Sequence, residues 1–88
     1  MQKPKVKITS KGFKILDVTA VHCLAWGGLG ICDSCNKGVT EGKYIAVLNS
    51  YYCQKCFDDW HKYATNHSED RGYENAHLQD ILFRIELA

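Results

Sequence analysis

Apolar and polar positions alternate at the start of the chain. Val6 and Ile8 stand between polar residues in "KVKITS", and beyond Lys11 and Gly12 the run "FKILDV" brings Phe13, Ile15 and Val18. Alternation on both sides of a Lys-Gly turn predicts a β-hairpin. In "TAVHCLAWGG", Thr19 is an N-cap candidate, Val21, Leu24 and Ala25 are apolar, and Gly27 is a C-cap candidate. That pattern predicts a short helix, with a continued strand as the alternative. "GKYIAVLNSYYC" is rich in β-branched and aromatic residues and breaks at Asn49 and Ser50, which predicts a second hairpin. In "CQKCFDDWHKYATN", Phe57, Trp60, Tyr63 and Ala64 recur at helical spacing, with Asp58 and Asp59 early and Lys62 late, as a helix dipole favours. "NHSEDRGYE" has turn chemistry. "NAHLQDILFRIEL" then sets Leu78, Ile81, Leu82 and Ile85 on one helical stripe that would close over the core. Phe83 and Leu87 fall off the stripe; burial at its flanks is the expectation, and exposure as a contact surface the alternative.

Size changes the picture. A chain of 88 residues is one domain, 1–88, and its core alone is marginal, so a metal or a disulfide is expected to supplement it. The composition is that of an ordinary globular chain, with no linker, repeat or low-complexity segment. Neither a signal peptide nor a long apolar run is visible, which predicts a cytoplasmic protein. In that compartment paired cysteines are metal ligands or redox groups more often than disulfides, and the five cysteines cannot all pair with one another.

The decisive stretch is 31–60, "ICDSCNKGVTEGKYIAVLNSYYCQKCFDDW", which holds two CxxC pairs with 17 residues between them. A two-residue gap lets a tight turn aim two thiolates at one ion, and two such turns make a tetrahedral cage. Cys32, Cys35, Cys53 and Cys56 are therefore assigned to one structural Zn²⁺, with iron as the other metal such a cage accepts. A redox dithiol would call for a βαβ context and a single pair. Asn36 and Gly38 are expected to take positive φ and turn N–H groups onto the sulfurs, and Cys53 and Cys56 to open a helix whose dipole favours thiolate. Lys37 and Lys55 could offset excess negative charge, or be ordinary surface lysines.

A CxxC knuckle, a β-hairpin and a helix carrying the second CxxC resemble a treble-clef zinc finger, and "YYCQKCFDDW" is similar to the end of a LIM-type finger. The resemblance covers residues 30–66 and implies a four-cysteine zinc site on Cys32, Cys35, Cys53 and Cys56. LIM domains hold two zinc sites in tandem, and no second ligand set precedes Cys32, so the likeness is to a single LIM-like finger. A zinc ribbon would place the second CxxC in a hairpin turn, where here helix-forming residues follow. Residues 1–29 and 67–88 resemble no particular family. The expected architecture is a small α+β domain: hairpin and short helix over 1–29, finger over 30–66, loop and C-terminal helix over 67–88.

The treble clef also supports HNH-type nucleases, which need a histidine on the hairpin as base. The segment 42–52 contains none, and Asn66 with His67 is a weak remainder. Asp58 and Asp59 are adjacent on a helix and face different directions. "WGGLG" reads as a turn into the knuckle. His22 with Cys23 lacks further donors, so Cys23 is expected to be a small buried hydrophobe. His61 is expected to point away from the cage or to support its ligands. Trp26, Tyr44, Tyr51, Tyr52, Trp60 and Tyr63 are expected to be mostly core, the alternative being a stacking platform or a peptide pocket.

Net charge is +1, and four thiolates with one divalent ion bring it to about −1, so composition carries no nucleic-acid signature. Charge is unevenly placed: residues 1–14 hold five lysines and no acid, and 57–88 hold seven acids against three bases. With no catalytic set in view, the expected function is that of a protein-interaction or adaptor module with an unidentified protein partner. The alternative is a nucleic-acid-binding finger using Lys3, Lys5, Lys7, Lys11 and Lys14. Neither a membrane role nor an oligomeric state is indicated.

Overall fold

The computed structural model describes residues 3–88; Met1 and Gln2 lie outside the described residues. Strands β1 (Val6–Ile8) and β2 (Lys14–Thr19) form the first hairpin, and β3 (Glu41–Ile45) and β4 (Ser50–Tyr52) the second. The two hairpins are one object. Strand β2 pairs with β3, giving a four-stranded antiparallel sheet in the order β1-β2-β3-β4, with Leu16 opposite Tyr44 and Ile15 opposite Ile45. Gly12, at φ 85°, makes the first turn, and Asn49, at φ 53°, the second. An asparagine tolerates that left-handed position better than most residues, and Asn49 also accepts a hydrogen bond from the Tyr44 hydroxyl at 2.6 Å.

Helix α1 (Ala20–Cys23) is a single turn continued by a 3₁₀ turn, Leu24–Trp26. Thr19 caps it as the sequence predicts: its hydroxyl accepts from His22 N–H, and the His22 ring accepts from Thr19 N–H at 3.0 Å. This reciprocal box is the role of His22, and it satisfies two donors that a helix start leaves free. Gly27 ends the segment at φ 82°.

Period-two alternation along the strands sends side chains to opposite faces, and each face has its own helix. Helix α2 (Gln54–Tyr63) lies against Ile15 and Ile45, where Phe57 is buried and Val47, Tyr52 and Trp60 pack around them. Helix α3 (Arg71–Leu87) sets Leu78, Ile81 and Ile85 against Leu16, Val18, Cys23, Tyr44, Ala46 and Tyr51. It begins at Arg71, four residues before the helical segment expected from Asn75, because "SEDRGYE" joins it, through a 3₁₀ turn at Ser68–Asp70. Glu74, buried at 5% exposure, accepts from Lys14 N–H at 3.0 Å and ties this helix to β2.

Two expectations about apolar residues fail. Phe83 (59% exposed) and Leu87 (70%) are not buried at the flanks, because a 3.6-residue period carries them to the side of α3 away from the sheet. Tyr63 (80% exposed) is not core either. The inward stripe of α2 is Phe57, Trp60 and His61, at i, i+3 and i+4, and Tyr63 falls beyond it. Tyr44 and Tyr51 are buried, and Trp26, Tyr52 and Trp60 are half-buried, so the aromatic residues are otherwise mostly packed as expected.

Candidate metal centre

The cage is assembled from two local structures. The first is the turn between Ile31 and Gly38, which are themselves bridged as an antiparallel pair. Within it Cys32 N–H donates to Lys37 carbonyl and Asn36 N–H to Cys32 carbonyl, both at 2.9 Å. Asn36 takes φ 63°, as expected. Gly38 does not take positive φ; the second left-handed position is Gly30, at φ 71°, where a Cβ would come within 2.6 Å of Ala20 Cβ. That close approach seats the turn against α1, and only glycine permits it. Ser34 N–H and Cys35 N–H donate to sulfur, at 3.4 and 3.5 Å from Cys32 Sγ. Asn36 spends its own N–H on the Cys32 carbonyl and so bends the chain without touching sulfur.

The second structure is the start of α2. Cys53 is its N-cap residue, in extended conformation, and Cys56 lies in its first turn. No side-chain bond caps this end, so the thiol of Cys53 is free to turn toward the knuckle. Asp33 holds the two halves in register: its N–H donates to Tyr51 carbonyl at 2.8 Å, and its carboxylate accepts from Tyr51 N–H at 2.9 Å. Sequence reading passed over Asp33. A signal was present, because an Asp within CxxC is a short acceptor next to a turn, but its partner on β4 appears only in the fold.

All four predicted sulfurs come together. The Sγ atoms of Cys32, Cys35, Cys53 and Cys56 lie within 4.8 Å of one another, and Cys35 and Cys53 are 3.8 Å apart. Tetrahedral metal–sulfur bonds of about 2.3 Å give edges of about 3.8 Å, whereas a disulfide needs about 2.05 Å. All five cysteines are free thiols. The four-sulfur set thus has the dimensions and donor chemistry of a metal site. Cys32 is its buried floor, Cys53 and Cys56 are half-buried, and Cys35 lies at the surface.

Electrostatics single out Cys32. Burial pushes its thiol up, but backbone N–H groups of Cys35, Cys53 and Ser34 outweigh this and hold it at about 6. Cys56 is pushed up to about 12, chiefly because it shares a hydrogen bond with Cys53. The protein's own N–H groups therefore favour the thiolate at Cys32, and a bound cation would favour it at Cys56.

The remaining candidates stay apart. Cys23 is fully buried, and desolvation raises its thiol to about 11, which makes it an inert packing residue as expected. His61 does point away from the cage: its ring stacks on Phe57 at 5.5 Å and meets Phe13 edge-on at 5.9 Å. His77 contacts the Ala46 carbonyl through Nδ1 at 2.7 Å, which fastens α3 to the second hairpin. Lys37 and Lys55 are exposed. No helix of the described residues is long and apolar enough to cross a membrane. Comparison with protein-family models, with curated proteins and with solved structures found no match to this chain.

Proposed function

We propose that the chain is a structural-zinc protein with a LIM-like finger of the treble-clef type, acting in the cytoplasm as a protein-interaction module. The observation that carries this reading is the convergence of four sulfurs within 4.8 Å, two from a knuckle and two from the start of a helix. Zinc is preferred to iron because a closed four-thiolate cage is its usual structural site. A cage filled by four protein ligands keeps no position for water or substrate, so its contribution is folding energy and the function is binding rather than catalysis.

The competing nucleic-acid reading relies on five lysines. Lys3 pairs with Glu86 at 3.4 Å, Lys7 pairs with Asp17, and Lys14 Nζ donates to Asn75 Oδ1 at 2.6 Å. Lys11 Nζ donates to the carbonyls of His61, Lys62 and Ala64 at 2.5, 3.1 and 3.0 Å. Among the described residues four of the five are thus occupied internally and Lys5 alone is not, which leaves a poor track for phosphates and favours a protein partner.

Native mass spectrometry of the purified chain tests the zinc reading, with circular dichroism recorded as a chelator is added. One zinc per chain, lost together with the folded spectrum, is expected. A folded, metal-free chain four hydrogens lighter would mean disulfides and would end the zinc reading.

A further inference from the structure

The two edges of the sheet are treated differently. On β4 the outward N–H and C=O of Tyr51 are both taken by Asp33, so the knuckle closes that edge. Strand β1, at the other edge, is exposed at every position, and nothing among the described residues covers it. Its ladder fixes which groups are free. Thr9 N–H donates to Phe13 carbonyl at 2.9 Å, and hydrogen-bonded positions recur every second residue in an antiparallel pair. Lys7 therefore bonds to β2, and the N–H and C=O of Val6 and Ile8 point away from the sheet.

The side chains of this edge are sorted by face. Val6 lies opposite Leu16 on the α3 side and is 44% exposed; Ile8, on the same side, is 68% exposed. Lys7, opposite Ile15, lies on the α2 side beside Asp17, and Lys5 has the same parity with no ion-pair or hydrogen-bond partner among the described residues. A short edge with lysines and a neighbouring proline discourages pairing with its own copy, because lysine would face lysine. Asp17 is shared between Lys7 and Lys43, so with the unpaired Lys5 this side of the edge stays net positive and suits a strand of opposite charge.

We propose that β1 is a docking edge for an extended segment of a partner protein in which acidic residues alternate with β-branched apolar ones. Such a segment adds a fifth strand. Its backbone bonds to Val6 and Ile8, its acids lie beside Lys5 and Lys7, and its apolar residues extend the surface begun by Val6 and Ile8. This rests on the interaction-module reading and names its partner chemistry.

The test is an amide-resolved NMR titration of the zinc-loaded full chain with the capped peptide Ac-Glu-Val-Glu-Val-Glu-NH2, and with its Lys-Val-Lys-Val-Lys counterpart as control. Shifts confined to residues 5–9, with slowed exchange of the Val6 and Ile8 amides, are expected for the acidic peptide alone. Val6→Pro removes an outward donor that the β1–β2 ladder does not use, and it should weaken binding about tenfold while leaving the rest of the spectrum unchanged. Lys5→Glu, a change at an exposed residue, should weaken it roughly three- to tenfold. The proposal is overturned by absence of binding, by equal binding of the lysine peptide, by indifference to Val6→Pro, or by shifts that map to Phe83 and Leu87. A dimer in sedimentation velocity that Val6→Pro dissolves would assign the edge to a second copy and overturn it equally. A zinc-loaded, folded chain that ignores the acidic peptide refutes the edge alone; a chain that folds without zinc refutes the module.

Discussion

Helix α3 covers its side of the sheet with Leu78, Ile81 and Ile85 against Leu16, Val18 and Tyr44, whereas α2 covers the opposite side with only Phe57 fully buried among its residues. Each aliphatic side chain taken from water on the α3 side is worth about 1.5–3 kcal/mol. The α2 side has fewer of them and uses other means: four sulfurs at one end of the helix and Lys11 at the other. One face is held by apolar area and the other by polar fastenings at the two ends of a short helix. The four-cysteine cluster thus stands on the face with the smaller apolar contact.

Metal removal should divide the faces most strongly, because a structural zinc contributes roughly 10 kcal/mol or more. The tryptophans supply one reporter for each side: Trp60, 4.8 Å from the Phe13 ring, for α2, and Trp26, 5.8 Å from the Tyr44 ring, for α3. Under a chelator, fluorescence of a Trp26→Phe variant should report exposure of Trp60 at lower chelator concentration than a Trp60→Phe variant reports exposure of Trp26. Simultaneous responses would merge the two faces into one cooperative unit and break the comparison. Next in size, Ile85→Ala should cost about 2–5 kcal/mol in urea denaturation of the zinc-loaded protein. Zinc affinity of the still-folded variant, read by competition with a chromophoric chelator, should stay within about twofold. Phe57→Ala should lower both, since Phe57 and the cage hold the same helix.

Legibility in the sequence followed the range of the interaction. The two-residue gap within each CxxC, the Thr19 cap, the Gly27 stop and the stripe of α3 are signals carried within a few residues, and all four are present in the fold; that the two pairs converge was readable only because the same short motif occurs twice. The joining of the hairpins through β2 and β3 was not legible, because alternation gives the faces of a strand and not its neighbours. Phe83 and Leu87 were misjudged for a related reason. Their place off the stripe was legible, but whether any element reaches that side of α3 is a tertiary fact, and none among the described residues buries them. Gly38 and Gly30 differ by a tertiary fact, the approach of Ala20. Asp33 and Lys11 act across 18 and about 50 positions of sequence, so neither role could be read locally.

The fastening at the C-terminus of α2 should be the third effect. Lys11→Met keeps most of the side chain's length and removes the charge that meets the free carbonyls of His61, Lys62 and Ala64. A loss of about 1 kcal/mol is expected, with amide exchange accelerating in α2 and not in α3. Equal acceleration in both helices would mean that the β1–β2 turn supports the whole fold rather than one face.

The smallest effect concerns the polar margin of the α2 face, where Asp17 pairs with Lys43 and Lys7. Partial burial pushes its carboxyl up, but the two lysines outweigh that and hold it below the usual carboxylate range. A carboxyl depressed in the folded state contributes fully above its unfolded value of about 3.9 and loses that contribution as pH falls through the folded value. The Asp17 side chain is 38% exposed, so solvent screens the pair and about 0.5 kcal/mol is the scale. The urea midpoint of Asp17→Asn should thus lie slightly below that of the parent at pH 7, and the gap should close as pH falls toward 3. Because acid also strips thiolate ligands from metal in both proteins, only the difference between them isolates Asp17. A gap that widened on acidification would show that Asp17 is more easily protonated when folded, and would remove the ion pairs from the account of how the α2 face is held.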